Sequence, residues 1–366
     1  MNSKKTLPLQ YPPITTFPSY SATLGILSVH RESFDWIYSH YIQLCSIEIT
    51  NASTAQFKSK YGYIPIFFVD TDSRCLTNIF SDNYFIMRTD CPYLKIFEIP
   101  NDLVDSLKET FLTIIKHCIN LDMYLYGHLD VSKIEQYGQA VSGFHEVFIY
   151  GYDDAEKVIL FADFPISENG QYKHSKCTYE EIENAFFSMK TFSYPTTKSI
   201  ALIQYSDETP FVFDMKYVRD TVRNYLDPSE TDAENFNNYA LSSLSCFGWQ
   251  TKTYLGIEMY SFLKNYMKGQ SEKDMGLSVE LFHGLYDHKN LMMKRVEYFV
   301  QKGYLNASKM SLLNELAEVK NKAMALRNRM IKSNIQGKLT EHESVFLLID
   351  QMSELEVAVL KKVFDL

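Results

Sequence analysis

The chain has 366 residues, 46% of them hydrophobic, with 45 acidic against 36 basic side chains and a formal charge of −9. That length supports one large or two ordinary domains, and the acidic balance argues against nucleic acid as the main partner, because phosphate binding calls for a cationic surface. No run approaches 18 uninterrupted apolar residues, so no membrane span is expected.

The first eighteen residues are Pro-rich and extended, with two lysines but no apolar core of signal-peptide length, so export is not expected. After Pro18, Ser19-Tyr-Ser-Ala-Thr-Leu24-Gly-Ile-Leu27 turns helical, and Ser19 or Ser21 is placed to cap it. A second helix is expected over Phe34 to Cys45. Residues 50 to 100 mix turns with β-type runs such as Tyr63 to Val69. Asn101 or Asp102 opens a helix whose Leu103, Leu107, Phe111, Ile114 and Cys118 recur every three or four residues and define one buried face. Met123 to Tyr126 reads as a strand, followed by a polar loop to Gly143.

Next comes the most informative stretch, Phe144 to Phe164. Two apolar, aromatic-rich runs flank the turn cluster Tyr152 to Glu156, the pattern of a β-hairpin. Folded about Asp154, it sets His145 and Asp163 at equal distances from the turn and opposite each other, with Cβ atoms about 4.5–5.5 Å apart. A carboxylate beside an imidazole fixes its tautomer and stabilises its protonated form, the orienting half of a catalytic triad. The competing reading is a strand-end His and a turn-flanking Asp that meet by accident.

Thr178-Tyr-Glu-Glu181 is a capping box that starts a helix through Phe186, and Ser199 to Gln204 reads as a closing strand. Beyond about Asp207 the β-type runs vanish. Leu313, Leu316, Val319, Ala323, Leu326 and Met330 form one helical stripe. Leu348, Met352, Leu355 and Val359 form another, introduced by the capping box Thr340 to Glu343 and joined by polar linkers such as Lys268 to Lys273. The expected fold class is α+β, with a first domain over residues 1–206 and an all-helical domain over 207–366.

Six cysteines lie scattered at 45, 75, 91, 118, 177 and 246, without metal or disulfide spacing, which suggests reduced thiols in cytoplasm. Neither a metal nor a cofactor is expected: the glycines form no phosphate-cradling loop. His283 and His288 are expected to face solvent. The basic run from Lys320 to Lys332 is read as a solvated helix face, with docking of an acidic carrier as the alternative.

A nucleophile suits a helix amino terminus, where the dipole lowers a thiol pKa and free N–H groups stabilise an oxyanion. Ser19 occupies such a place. The order of nucleophile before a first helix, His opening a strand and Asp closing the next is that of papain-like enzymes. More specifically, His145 to Asp154 resembles the family named for the amino-terminal part of butirosin biosynthesis protein H. The similarity extends through Phe161-Ala-Asp163-Phe, Gly170-Gln-Tyr172 and Cys177 to Ile182, and in the second half through Tyr254-Leu-Gly-Ile-Glu-Met-Tyr260.

This resemblance implies a papain-like fold with an appended helical domain. It also implies an acyltransferase or amide synthase that moves a chain from a phosphopantetheine-bearing acyl or peptidyl carrier protein to an amine or diamine through a cysteine acyl-enzyme. His145 would be the base and Asp163 its orienter. Tyr20, His128 and Asp130 are candidates to line the acceptor pocket, although strand-end polar roles suit His128 and Asp130 better. Gln10 is the candidate oxyanion donor, and a homodimer through the C-terminal helices is a further expectation. The family's cysteine falls where this chain has Ser19. An engineered Cys→Ser change, a working serine and a degenerate binding relative all fit, and the first is favoured because a hydroxyl is far less ionised than a thiol. Cys45 and Cys91 are fallback nucleophiles. A peptidase or amidase, or a non-catalytic binding module, are the alternative functions.

Overall fold

The computed structural model describes residues 3–49, 63–69, 91–107, 110–138, 143–164, 171–189, 199–228, 251–272, 277–337 and 342–366. In chain order its elements are β1 (Lys4–Thr6), α1 (Pro18–Leu27), α2 (Phe34–Ser39), β2 (Gln43–Ile49), β3 (Tyr63–Val69), β4 (Leu94–Pro100), α3 (Asn101–Ser106) and α4 (Phe111–Asn120). There follow β5 (Met123–Asp130), β6 (Phe144–Asp153), β7 (Val158–Asp163), β8 (Lys173–Thr178), α5 (Tyr179–Ser188), β9 (Ser199–Tyr205) and α6 (Met215–Leu226). The last part comprises β10 (Thr251–Leu255), α7 (Met259–Glu272), α8 (Val279–Gln301), α9 (Leu313–Gln336) and α10 (His342–Phe364). The architecture is mixed α+β.

The chain divides into two compact units, Met1–Phe34 with Asn78–Phe211, and Asp35–Thr77 with Val212–Leu366. Both units are discontinuous in sequence, unlike a single division at 206, and residues 35–77 belong to the second. Strand pairing explains this: β2 lies between β10 and β3 in a three-stranded antiparallel sheet. That sheet also corrects the all-helical expectation, since β10 comes from the C-terminal half.

In the first unit an antiparallel sheet runs in the order β4-β9-β5-β6-β7-β8, with β1 also pairing β6. Helices α4 and α5 cover one face, joined by the Phe111–Phe186 stack (centroids 4.1 Å apart). Beneath them Phe111, Leu125, Leu129, Val147, Ile149 and Ile200 line a small apolar cavity. Helix α1 has no charged residue, and Ser19 through Leu27 are all buried, since only small hydroxyls interrupt its apolar surface. The long helix expected from residue 101 breaks into α3 and α4, because the Thr110 side chain caps α4 by accepting from Thr113 N. Leu103 and Leu107 are accordingly exposed, while Phe111, Ile114 and Cys118 are buried.

In the second unit the α9 stripe holds: Leu316, Val319, Ala323, Leu326 and Met330 are buried. The segment expected as a linker from Lys268 is helical through Glu272. The capping box at Thr340 lies outside the described residues. The core of this unit also contains an ionic cluster. Lys289 Nζ donates to Glu356 Oε2 (2.8 Å) and to Tyr225 Oη (2.6 Å), and Tyr225 and Tyr260 donate to the same Glu356 oxygen at 2.9 and 2.6 Å. His288, expected on the surface, is buried with Nε2 2.7 Å from the Ile42 carbonyl oxygen. Among the described residues no helix is long and apolar enough to cross a membrane.

Candidate active site

The site is built on the start of β6 and the end of β7. The hairpin register pairs Phe148 with Ala162 and Asp153 with Val158, with a bulge between Ile149 and Gly151. Continued by one residue, that register sets Asp163 against Val147. His145 is then a diagonal neighbour of Asp163 and not directly opposite it, a correction of two positions. Because side chains alternate with a period of two, a shift of two keeps both on the same face. The side chains do meet: His145 Nε2 lies 3.1 Å from Asp163 Oδ1 and 3.0 Å from Oδ2.

Asp163 is fully buried, whereas the imidazole keeps 36% of its side-chain surface in solvent. Burial works against the imidazolium, but the Asp163 charge and hydrogen bond outweigh it, and His145 is pushed up to about 9. Among the described residues no hydrogen bond occupies Nδ1.

Tyr137, which no sequence motif marks, completes the cluster. It lies in a short turn between β5 and β6, is buried, and donates its hydroxyl to Asp163 Oδ2. Its ring stands edge-on to His145 (5.8 Å) and stacks on Phe161 (5.9 Å). A Tyr in a polar loop carries no periodic signal, so only the fold could reveal it.

Ser19 lies in the first turn of α1, but the N-cap is Phe17, with Pro18 following and no side-chain cap. The expected serine cap is not formed. Ser21 instead turns its hydroxyl to the Ile14 and Phe17 carbonyl oxygens, and Ser19, 3% exposed, sits beside the Tyr126 phenol. Tyr126 in turn neighbours Glu146, whose carboxyl burial raises against the Tyr126 hydroxyl and the His145 charge. By the pleat, Tyr126 and Glu146 belong to the face that meets α1, and His145 and Asp163 to the other. The Asp163 charge is nonetheless felt at Tyr126, and no described hydrogen bond joins Ser19 to His145.

The remaining sequence candidates separate clearly. His128 pairs with Glu146 across β5 and β6, and burial followed by the His145 charge pushes it down to about 4, so it is neutral beside a cation. The Asp130 carboxylate is taken up by Ser132 N (3.1 Å), Ser132 Oγ (2.6 Å) and Ser188 Oγ (2.8 Å), a turn-fixing role and not a pocket-lining one. Tyr20 is fully buried against Phe17. Gln10 is exposed and its N–H donates to the Gly25 carbonyl oxygen. That point is six residues, or about 9 Å, along α1 from Ser19, so the oxyanion role gains no geometric footing. Cys45 and Cys91 are buried, and burial holds the Cys45 thiol well above its ordinary value. Among the described residues no group of three His, Cys, Asp or Glu side chains could hold a metal ion.

No known protein-family model matches the chain. No curated protein matches it either.

Proposed function

We propose that the chain is a papain-like acyltransferase. It would take an acyl chain from a carrier-protein thioester onto the side chain at position 19 and pass it to an amine. The observation that carries the reading is the His145–Asp163 pair: a half-open imidazole, held through Nε2 and raised in basicity, with no described hydrogen bond at Nδ1. In this scheme, written for the cysteine that the resemblance puts at position 19 in place of the serine, the thiolate attacks the thioester carbonyl, and the carrier thiol leaves with the imidazolium proton. The amine then attacks the acyl-enzyme and gives up its proton to His145. Asp163 keeps the ring in the required tautomer. The reading requires the side chain of position 19 to reach Nδ1 around the open end of β6.

The contact of Ser19 with Tyr126 favours a second reading, a binding module in which position 19 only packs. One experiment separates them. Ser19→Cys protein is offered an activated acyl thioester, and intact-mass spectrometry looks for an acyl adduct. Transfer chemistry gives an adduct that disappears with His145→Ala and is discharged as an amide by added amine. A Ser19→Cys chain that stays unmodified leaves the binding module.

A further inference from the structure

The Asp163 carboxylate has no access to water, so the hydrogen bonds that aim it must come from the protein. Its described partners are His145 Nε2 and the Tyr137 hydroxyl. The chain spends several interactions on delivering that hydroxyl. Asp130 fixes the first turn after β5 through Ser132 and ties it to α5 through Ser188. Glu181 then divides its two oxygens: Oε2 closes the capping box at Thr178 N (2.6 Å), and Oε1 accepts from Glu135 N (2.8 Å), at the head of the turn that carries Tyr137. That turn closes with Tyr137 N on the Ile134 carbonyl and Gly138 N on the Glu135 carbonyl. It exits through Gly138 at φ +75, a conformation glycine adopts without steric cost. The ring is clamped between Phe161 and His145.

We propose that Tyr137 is the positioning residue of the His145–Asp163 pair, its hydroxyl fixing the carboxylate so that Asp163 grips Nε2 and leaves Nδ1 outward. This rests on the acyl-transfer reading for its purpose, but not for its geometry. Tyr137 stays protonated as a donor, since burial, the Asp163 charge and the shared hydrogen bond all raise it. The groups around the pair are Glu146 and Tyr126 on β6 and β5, His128 on β5, Tyr172 near β8, Cys177 on β8, and Lys173 opposite Asp163 in the β7–β8 register. Apart from His145, Tyr137 is the one whose described hydrogen bond ends on Asp163. The hydroxyl that orients the carboxylate also disperses part of its negative charge. Removing it therefore frees the orientation of Asp163 while leaving more charge to face the imidazolium, which raises the basicity of His145, and a stronger donor does the reverse.

The test follows the His145 ring by NMR through a pH titration of the Ser19 chain, with His145→Gln to assign the signal. Tyr137→Phe, which keeps the ring and removes only the hydroxyl, is expected to raise the His145 midpoint by about half a pH unit. Replacing Tyr137 with 3-fluorotyrosine, a more acidic and stronger donor of nearly the same shape, is expected to lower it. A residue that merely packs would leave both titrations on the unsubstituted curve, and that result overturns the proposal. If both shifts appear while the Ser19→Cys form takes no acyl group, the positioning role stands and the acyl-transfer reading falls.

Discussion

The raised basicity of His145 predicts opposite pH behaviour for serine and cysteine at position 19. A serine hydroxyl needs a neutral imidazole to remove its proton, whereas a thiolate is stabilised by an imidazolium already in place. With His145 near 9, the neutral fraction is about 1% at pH 7, about 10% at pH 8 and half at pH 9. The Ser19 chain should therefore acylate about tenfold faster per pH unit between about pH 7 and 8.5, levelling near 9. The Ser19→Cys form should already be near its plateau over that range. The assay is single-turnover acylation from an activated acyl thioester, quenched and read by intact mass, with His145→Ala subtracted for uncatalysed reaction. A Ser19 chain whose rate is flat over this range, or a Ser19→Cys form that climbs tenfold per unit beside it, refutes the reasoning.

Asp163→Asn removes the charge that opposes burial, so the His145 midpoint should fall from about 9 to 6.5 or below, as read by ring NMR. Water around the exposed part of the ring makes that drop a ceiling, and a midpoint still above about 8 would count against the pair. Because the folded value is raised, the pair's stabilisation is complete below pH 6.5 and is lost as pH rises through about 9. Lys289→Met leaves the Glu356 carboxylate buried without its cation and should cost about 3–5 kcal/mol in urea unfolding; a loss under about 1 kcal/mol would show the cluster is not carrying charge. Gly256→Ala puts a Cβ 2.1 Å from the Tyr225 carbonyl oxygen at a residue with φ +51, and should cost more than about 2 kcal/mol by the same measurement.

Much of the first unit is legible in the sequence because its signals are local. Alternation and a polar turn identify the hairpin, and Thr178 with Glu181 identifies the start of α5. The centre of the turn is not legible, since Lys157 at φ +56 and the bulge beyond Ile149 each alter the count. The His–Asp contact is robust to that error because the error is even; a slip of one residue would send the two side chains to opposite faces. What escapes the sequence depends on distant partners. Nothing in Lys268 to Glu272 distinguishes a polar linker from the last turn of α7. Nothing near Gln43 announces that this strand pairs with Thr251 to Leu255 rather than with the first unit's sheet. Asp130 reads as a pocket candidate because its donors, Ser132 and Ser188, lie on a turn and a helix whose meeting only the fold decides.

Two of the buried carboxylates, Glu356 and Asp163, divide structural from chemical use of charge. Glu356 and Lys289 are each 1% exposed, and Lys289 and both neighbouring tyrosines spend their donors on one another, on His288 Nδ1 and on Glu356. A pair so closed has no open end through which to exchange a proton with solvent. Asp163 is as buried, yet its partner His145 keeps part of its ring in water. A charge pair with one closed and one open end can hold a proton at a set energy and still hand it over, which is the property that general acid–base chemistry requires. That asymmetry, more than the presence of a His and an Asp, is why the hairpin and not the helical core is where chemistry should be sought.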